Sequence, residues 1–188
     1  MRDLSLHLMD IVQNSVKARA TSIEIRVDVR PEADQMILSV RDNGCGIPAG
    51  LVEQVQDPFV TSRTTRPVGL GIPLLKELCE QTGGFLKIVS VEGEGTLLSA
   101  TLGLSHIDRL PLGNIGETLY VLLAADPALD YTLIFTAPGR EFQLDMAQIR
   151  QEIPDLPVDD PAVLSFIRDY VAENQQAVFA GFLTEIGD

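Results

Sequence analysis

The stretch Leu8-Met9-Asp10-Ile11-Val12-Gln13-Asn14-Ser15-Val16-Lys17-Ala18-Arg19-Ala20-Thr21 decides the reading of this chain. Leu8, Ile11, Val12, Ser15 and Val16 recur with the 3.6-residue period of an amphipathic helix, so a helix is predicted over residues 5–19. Asp10, Gln13, Asn14 and Lys17 share the opposite face. Asp10 and Asn14 are four positions apart, which stacks their side chains one turn apart on a common face.

Downstream, the period changes from 3.6 to 2. Ile23, Ile25, Val27 and Val29 alternate with polar residues, as do Met36, Leu38 and Val40, and the Pro31 to Gln35 segment between them reads as a turn, giving a β-hairpin. The Gly- and Pro-rich segment from Asp42 to Gly71 is too long for a simple connection and marks the expected site. A helix is predicted over 72–82, stopped by Gly83-Gly84, followed by strands over 85–91 and 96–103 around the Glu92 to Gly95 turn. Beyond Gly103 come a helix over 115–125, strands over 130–136 and 141–145 around Pro138-Gly139, and a last helix reaching about Phe182. Asp160 is read as the N-cap of that helix, with Pro161 at its first position. The expected organisation is two units, residues 1–105 and an acidic α+β subdomain over 106–188.

Composition agrees with a folded globular chain: of 188 residues, 45% are hydrophobic and 22% charged. The net charge of −13 is unevenly placed. Residues 1–105 carry ten basic against thirteen acidic side chains, and residues 106–188 carry four against fourteen. Such acidity argues against general nucleic-acid binding, which needs a basic face to neutralise phosphates. No apolar run approaches the roughly 20 residues that span a bilayer, and Met1 to Asp10 lacks a signal-peptide pattern; no membrane role and a cytoplasmic location are expected. Cys45 and Cys79 lack the spacing of a zinc site or a disulfide scaffold and are read as buried or free thiols.

Neither a G-x-x-x-x-G-K-[ST] loop nor a strand-borne G-x-G-x-x-G occurs, so a nucleotide site here must be of another kind. The Leu8 to Thr21 helix resembles the N box of the GHKL ATP-binding class, which includes histidine-kinase ATPase domains, gyrase, Hsp90 chaperones and mismatch-repair ATPases. Asp42-Asn43-Gly44-Cys45-Gly46-Ile47-Pro48 resembles its first glycine box, Pro58-Phe59-Val60-Thr61-Ser62-Arg63 its F box, and Val68-Gly69-Leu70-Gly71-Ile72 its second glycine box. Gly93-Glu94-Gly95-Thr96 is similar to its G-x-G-T segment. Each motif is weak alone; their common order and setting are far more specific. The resemblance covers about residues 4–104.

The resemblance implies an α+β fold, the Bergerat-type two-layer α/β sandwich with a mixed, mainly antiparallel sheet and helices on one face. It also implies ATP and Mg²⁺ as cofactors. In that pattern Asn14 supplies an oxygen to Mg²⁺, and Asp10 stands where the family's water-activating Glu stands, one methylene shorter. Lys17 matches the histidine-kinase form of the box. Asp42 accepts from the adenine amine, Gly44, Gly46 and Ile47 line the base, and Thr96 lies near it. Thr61, Ser62, Arg63, Gly69, Leu70, Gly71 and Ile72 surround the phosphates, the last of these at a helix start that favours anions. Three functions compete: kinase-like phosphotransfer to a protein partner, a slow ATPase acting as a nucleotide-dependent binding switch, and a non-catalytic interaction module whose pocket has decayed. A protein partner or phosphoacceptor is expected, with a homodimer as the alternative use of residues 106–188. His7 and His106 are read as core or surface residues, not phosphoacceptors.

Overall fold

The computed structural model describes residues 2–52, 54–56, 71–154 and 157–183. Helix α1 spans Leu4–Lys17, and the strands β1 (Ser22–Arg30) and β2 (Gln35–Asp42) form the expected hairpin. Helix α2 (Gly71–Gln81) precedes β3 (Phe85–Val91) and β4 (Gly95–Gly103). Then come α3 (Ile115–Ala125), β5 (Asp130–Ala137), β6 (Arg140–Asp145), the short α4 (Met146–Glu152) and α5 (Pro161–Phe179).

All six strands lie in one sheet of order β3-β4-β2-β1-β5-β6. Every neighbouring pair is antiparallel except β1 with β5, which run parallel. The sheet is therefore mixed and mainly antiparallel, as expected. The strands of residues 106–188 extend the sheet begun by residues 1–105: Ile23 pairs with Tyr131, Ile25 with Leu133 and Val27 with Phe135. The break near residue 105 is one of charge, not of sheet hydrogen bonding.

Alternation explains which face is covered. Along β1, Ile23, Ile25, Val27 and Val29 are buried, while Ser22, Arg26 and Arg30 are exposed. The register carries this face across the sheet, with Val40 beside Ile25 and Leu98 beside Val40. Helices α1, α2 and α5 pack on it, α3 rests on α1 and α5, and one hydrophobic core unites both halves of the chain. Phe135 joins an aromatic cluster in it, with ring centroids 5.6 Å from Phe142 and 5.4 Å from Phe179.

Helix ends follow local chemistry. Asp3 caps α1 by accepting from the Leu6 amide at 3.1 Å, and Asp160 caps α5 by accepting from the Ala162 amide at 2.8 Å. Helix α4 is an addition to the sequence reading; its cap, Asp145, accepts from the Ala147 and Gln148 amides. No described helix is long and apolar enough to cross a membrane.

Candidate functional site

Helix α1 supplies the frame. Its inner side buries Leu4, His7, Leu8, Ile11, Val12 and Ser15. Asp10 and Asn14 flank that stripe and are half-buried, whereas Gln13 and Lys17 are exposed. Val16, placed by its spacing in the apolar stripe, is 38% exposed.

Asp10 meets the first residue of α2. A Cβ added to Gly71 would stand 2.9 Å from both Cβ and Oδ2 of Asp10, so only glycine permits this approach. The start of α2, where amides lack helical partners and the helix dipole is positive, thus lies against a carboxylate. Ile72 is buried just behind it.

His7 sits on α1 one turn before Asp10 and is 3% exposed. Its Nδ1 has no hydrogen-bond partner among the described residues. Burial pushes its pKa below the ordinary 6.5, with the Asp10 charge opposing the shift, so the ring is held neutral. Cys79 is likewise buried, and desolvation pushes its thiol up to about 12, whereas Cys45 is exposed.

A second group of residues forms around the end of β2. Asp42 Oδ2 accepts from Ser15 Oγ at 2.7 Å, and its Oδ1 accepts from the Gly44 amide at 2.9 Å. These two bonds fix the carboxylate yet use about half of its acceptor sites, leaving capacity for an incoming donor. Thr96 pairs with Asp42 across β2 and β4, and its Oγ1 lies 2.8 Å from Ser90 Oγ. Ser90 Oγ also accepts from the Ile47 amide at 2.7 Å.

Glycines let this segment lie against its neighbours. Gly46 has φ +68°, and a Cβ there would come within 2.1 Å of the Val91 carbonyl oxygen. At Gly44 a Cβ would meet the Ala18 carbonyl at 2.8 Å. The Cys45 amide donates to Ala18 O at 2.9 Å, and Asn43 Oδ1 accepts from the Thr21 and Ser22 amides. The segment after β2 is thereby tied to the end of α1.

The structure thus brings together Asp10, Gly71 and Ile72 at one point of α1, and Asp42, Gly44, Gly46, Ile47 and Thr96 at another. Asn14 is adjacent in sequence to Ser15, the residue that holds Asp42. Lys17, in the last turn of α1, makes no ion pair among the described residues. Thr61, Ser62, Arg63, Gly69 and Leu70 lie outside the described residues. Ser15 and Ser90 were not singled out by sequence; Ser15 gave only the faint signal of a hydroxyl within an apolar stripe.

Residues 2–106 match the family described as histidine kinase-, DNA gyrase B-, and HSP90-like ATPase. Over 113 residues the chain is 38% identical to the non-motile and phage-resistance protein of Caulobacter vibrioides, covering 54% of this chain and 13% of that protein. It is 35% identical over 102 residues to the sensor histidine kinase WalK of Bacillus subtilis, covering 50% and 17% respectively. The chain therefore spans less than a fifth of the length of these relatives. A solved N-terminal domain of a DNA repair protein shares the fold, with a TM-score of 0.51 at 17% identity over 77% of this chain and 53% of that one. With its helix, glycine segments and sheet arranged as described, this chain belongs to the histidine kinase-, DNA gyrase B- and HSP90-like ATPase family.

Proposed function

We propose that the chain binds Mg²⁺·ATP and passes the γ-phosphoryl group to a protein partner. The observation that carries the nucleotide reading is the Asp42 carboxylate, held by Ser15 and Gly44 and flanked by glycines that admit close approach. A fixed carboxylate with spare acceptor sites selects a purine bearing an amine donor over one bearing a carbonyl there, because the latter would face it with two unpaired acceptors. Thr96, the cross-strand partner of Asp42, is joined through Ser90 to Ile47, so both would lie beside the base.

The residues fit the cation as well as the base. Among the described residues no three His, Cys, Asp or Glu side chains cluster to hold a metal. Mg²⁺ suits such a site, since it commonly takes one or two protein oxygens and completes its shell with phosphate and water. Asn14 would supply its side-chain oxygen, and Asp10 sits one turn away beside the α2 start. Bound there, the cation would neutralise charge on the β- and γ-phosphates. The α2 amides around Gly71 would face phosphate oxygens, and Lys17 would add a positive charge.

Asp10 would orient and accept a proton from the attacking group. Its shorter side chain favours a nucleophile delivered by a partner over a water that the chain must position itself. The relatives named as histidine kinases favour the same reading. A slow ATPase switch is the second reading, favoured by the contact of Asp10 with Gly71.

The test measures ATP affinity with and without Mg²⁺, and phosphate release by the isolated chain. The reading expects Mg²⁺ to tighten binding in the wild type, Asn14→Ala to lose that gain, and little phosphate to be released without a partner. Rapid release by the chain alone would move the assignment to the ATPase switch. Equal affinity with and without Mg²⁺ would remove Asn14 from the metal.

A further inference from the structure

Arg109 is the single buried charged residue among those described, 5% exposed. Its Nε donates to Leu104 O at 2.7 Å and its Nη1 to Leu110 O at 3.1 Å. Neither acceptor is charged, and no carboxylate among the described residues lies within ion-pair distance. Residues 106–188 contain fourteen acidic side chains and only four arginines. Of those, Arg150 pairs with Asp130 and Arg168 with Asp169, both at more open positions. Among the described residues the buried arginine has no counter-ion, although carboxylates are abundant in this half and a buried charge is costly unless paired.

Arg109 lines a cavity of about 580 Å³. Leu112 and Phe179 give it apolar wall, and Asn114 and Gln176 give it amide edges. The Gln176 side chain makes no hydrogen bond among the described residues, and neither does Nδ2 of Asn114, whose Oδ1 caps α3. Asn114 also places the start of α3 at the cavity wall, and the positive end of a helix dipole adds to the guanidinium. The volume lies within the range of about 300–1,000 Å³ typical of small-molecule sites. None of the nucleotide-site residues contributes to the lining.

We propose that this cavity binds a small organic oxyanion, a carboxylate or a phosphate monoester, whose charge pairs with the Arg109 guanidinium and whose apolar body lies on Leu112 and Phe179. An oxyanion accepts donors that the Leu104 and Leu110 carbonyls leave unused, because guanidinium offers five N–H groups in a planar fork. The bound anion supplies the counter-ion that the fold withholds. The inference is independent of the nucleotide assignment.

The test uses the full chain labelled with ¹⁵N and three matched probes: hexanoate, hexyl phosphate and hexylammonium. Saturable shifts of the Arg109 Nε–H and Gln176 side-chain signals are expected with one or both anions, and none with the cation. Hexanoate should bind about tenfold or more tightly than acetate, since several methylenes leave water. If hexyl phosphate alone binds, the site is phosphoryl-selective; if hexanoate alone binds, it is carboxylate-selective.

Arg109→Gln should weaken binding about tenfold or more. It also loosens the Leu104 and Leu110 carbonyls and so risks the fold. Gln176→Glu, at an exposed residue, leaves that network intact while placing a negative charge at the cavity, and should weaken binding similarly. Wild-type affinity in the folded Gln176→Glu variant would overturn the proposal. So would equal shifts from hexylammonium, no saturable shift from any probe, or shifts confined to the separate apolar groove lined by Ile149, Val163 and Phe166.

Discussion

Replacing Asp42 by asparagine tests the proposal that the charge of this side chain, rather than its shape, reads a purine. In the wild type each carboxylate oxygen accepts one internal donor, from Ser15 Oγ at 2.7 Å and from the Gly44 amide at 2.9 Å. Asparagine keeps both neighbours paired: its Oδ1 accepts from Gly44, while its Nδ2 donates to the Ser15 oxygen, whose hydroxyl hydrogen can rotate away. The change in stability is the difference between charged and neutral hydrogen bonds, about 1 kcal/mol. On the proposed reading the adenine amine, in contrast, loses a charged acceptor. A hydrogen bond to a charged group is worth about 1.5–3 kcal/mol, so Kd for ATP should rise about 10- to 150-fold. Asp42→Ala differs, because it takes the acceptor away from the hydroxyl of Ser15, a residue only 4% exposed, and from the Gly44 amide. At about 1–3 kcal/mol per unsatisfied group it should cost about 2–6 kcal/mol, a large share of the stability of an ordinary domain. Calorimetric titration gives the affinities, and urea unfolding gives the stabilities. Wild-type ATP affinity in a stably folded Asp42→Asn variant would refute the reasoning.

Three other outcomes follow from the geometry. Gly46→Ala places a Cβ against the Val91 backbone oxygen at a φ of +68° and should lower stability by about 2–4 kcal/mol, read as a lower urea midpoint at unchanged slope. Asp10→Asn should leave ATP affinity within about threefold while abolishing phosphoryl transfer, a split between binding and chemistry; equal loss of both would make Asp10 a binding residue only. His7 is held neutral when folded, with its pKa below 6.5. The unfolded chain takes up the proton first, so the contribution of His7 is complete above 6.5 and is lost as the pH falls from there toward the folded value. Urea midpoints at about pH 7.5 and about pH 5.5 should differ less for His7→Leu than for wild type; an identical difference would show that His7 is not the titrating group.

Much of this architecture was legible because each element announces itself locally. The 3.6-residue stripe of α1, the alternation of β1 and β2, and the Asp160-Pro161 start of α5 all fall where the sequence placed them, within a residue or two at most ends. Helix α4 escaped because seven residues give barely two turns of period, and its signal was the cap at Asp145 rather than a stripe. The joining of both halves into one sheet escaped for a different reason. The parallel pairing of β1 with β5 links residues more than 100 positions apart, and nothing in either strand names its neighbour.

At the candidate site, the glycine segments and Asp42 could be read from motif order, whereas Ser15 could not. A hydroxyl in an apolar stripe looks like a tolerated core position until the fold brings Asp42 to it. Arg109 was silent in the sequence too, since its lack of an ion pair among the described residues is a property of the folded chain. The acidic half conceals this cation among fourteen opposite charges.

The central claim is most directly tested by calorimetric titration of the wild-type chain with ATP and GTP in the presence of Mg²⁺. Recognition through the fixed Asp42 carboxylate predicts saturable ATP binding at one site and GTP weaker by about tenfold or more. Equal affinity for the two nucleotides, or binding of neither, would contradict it.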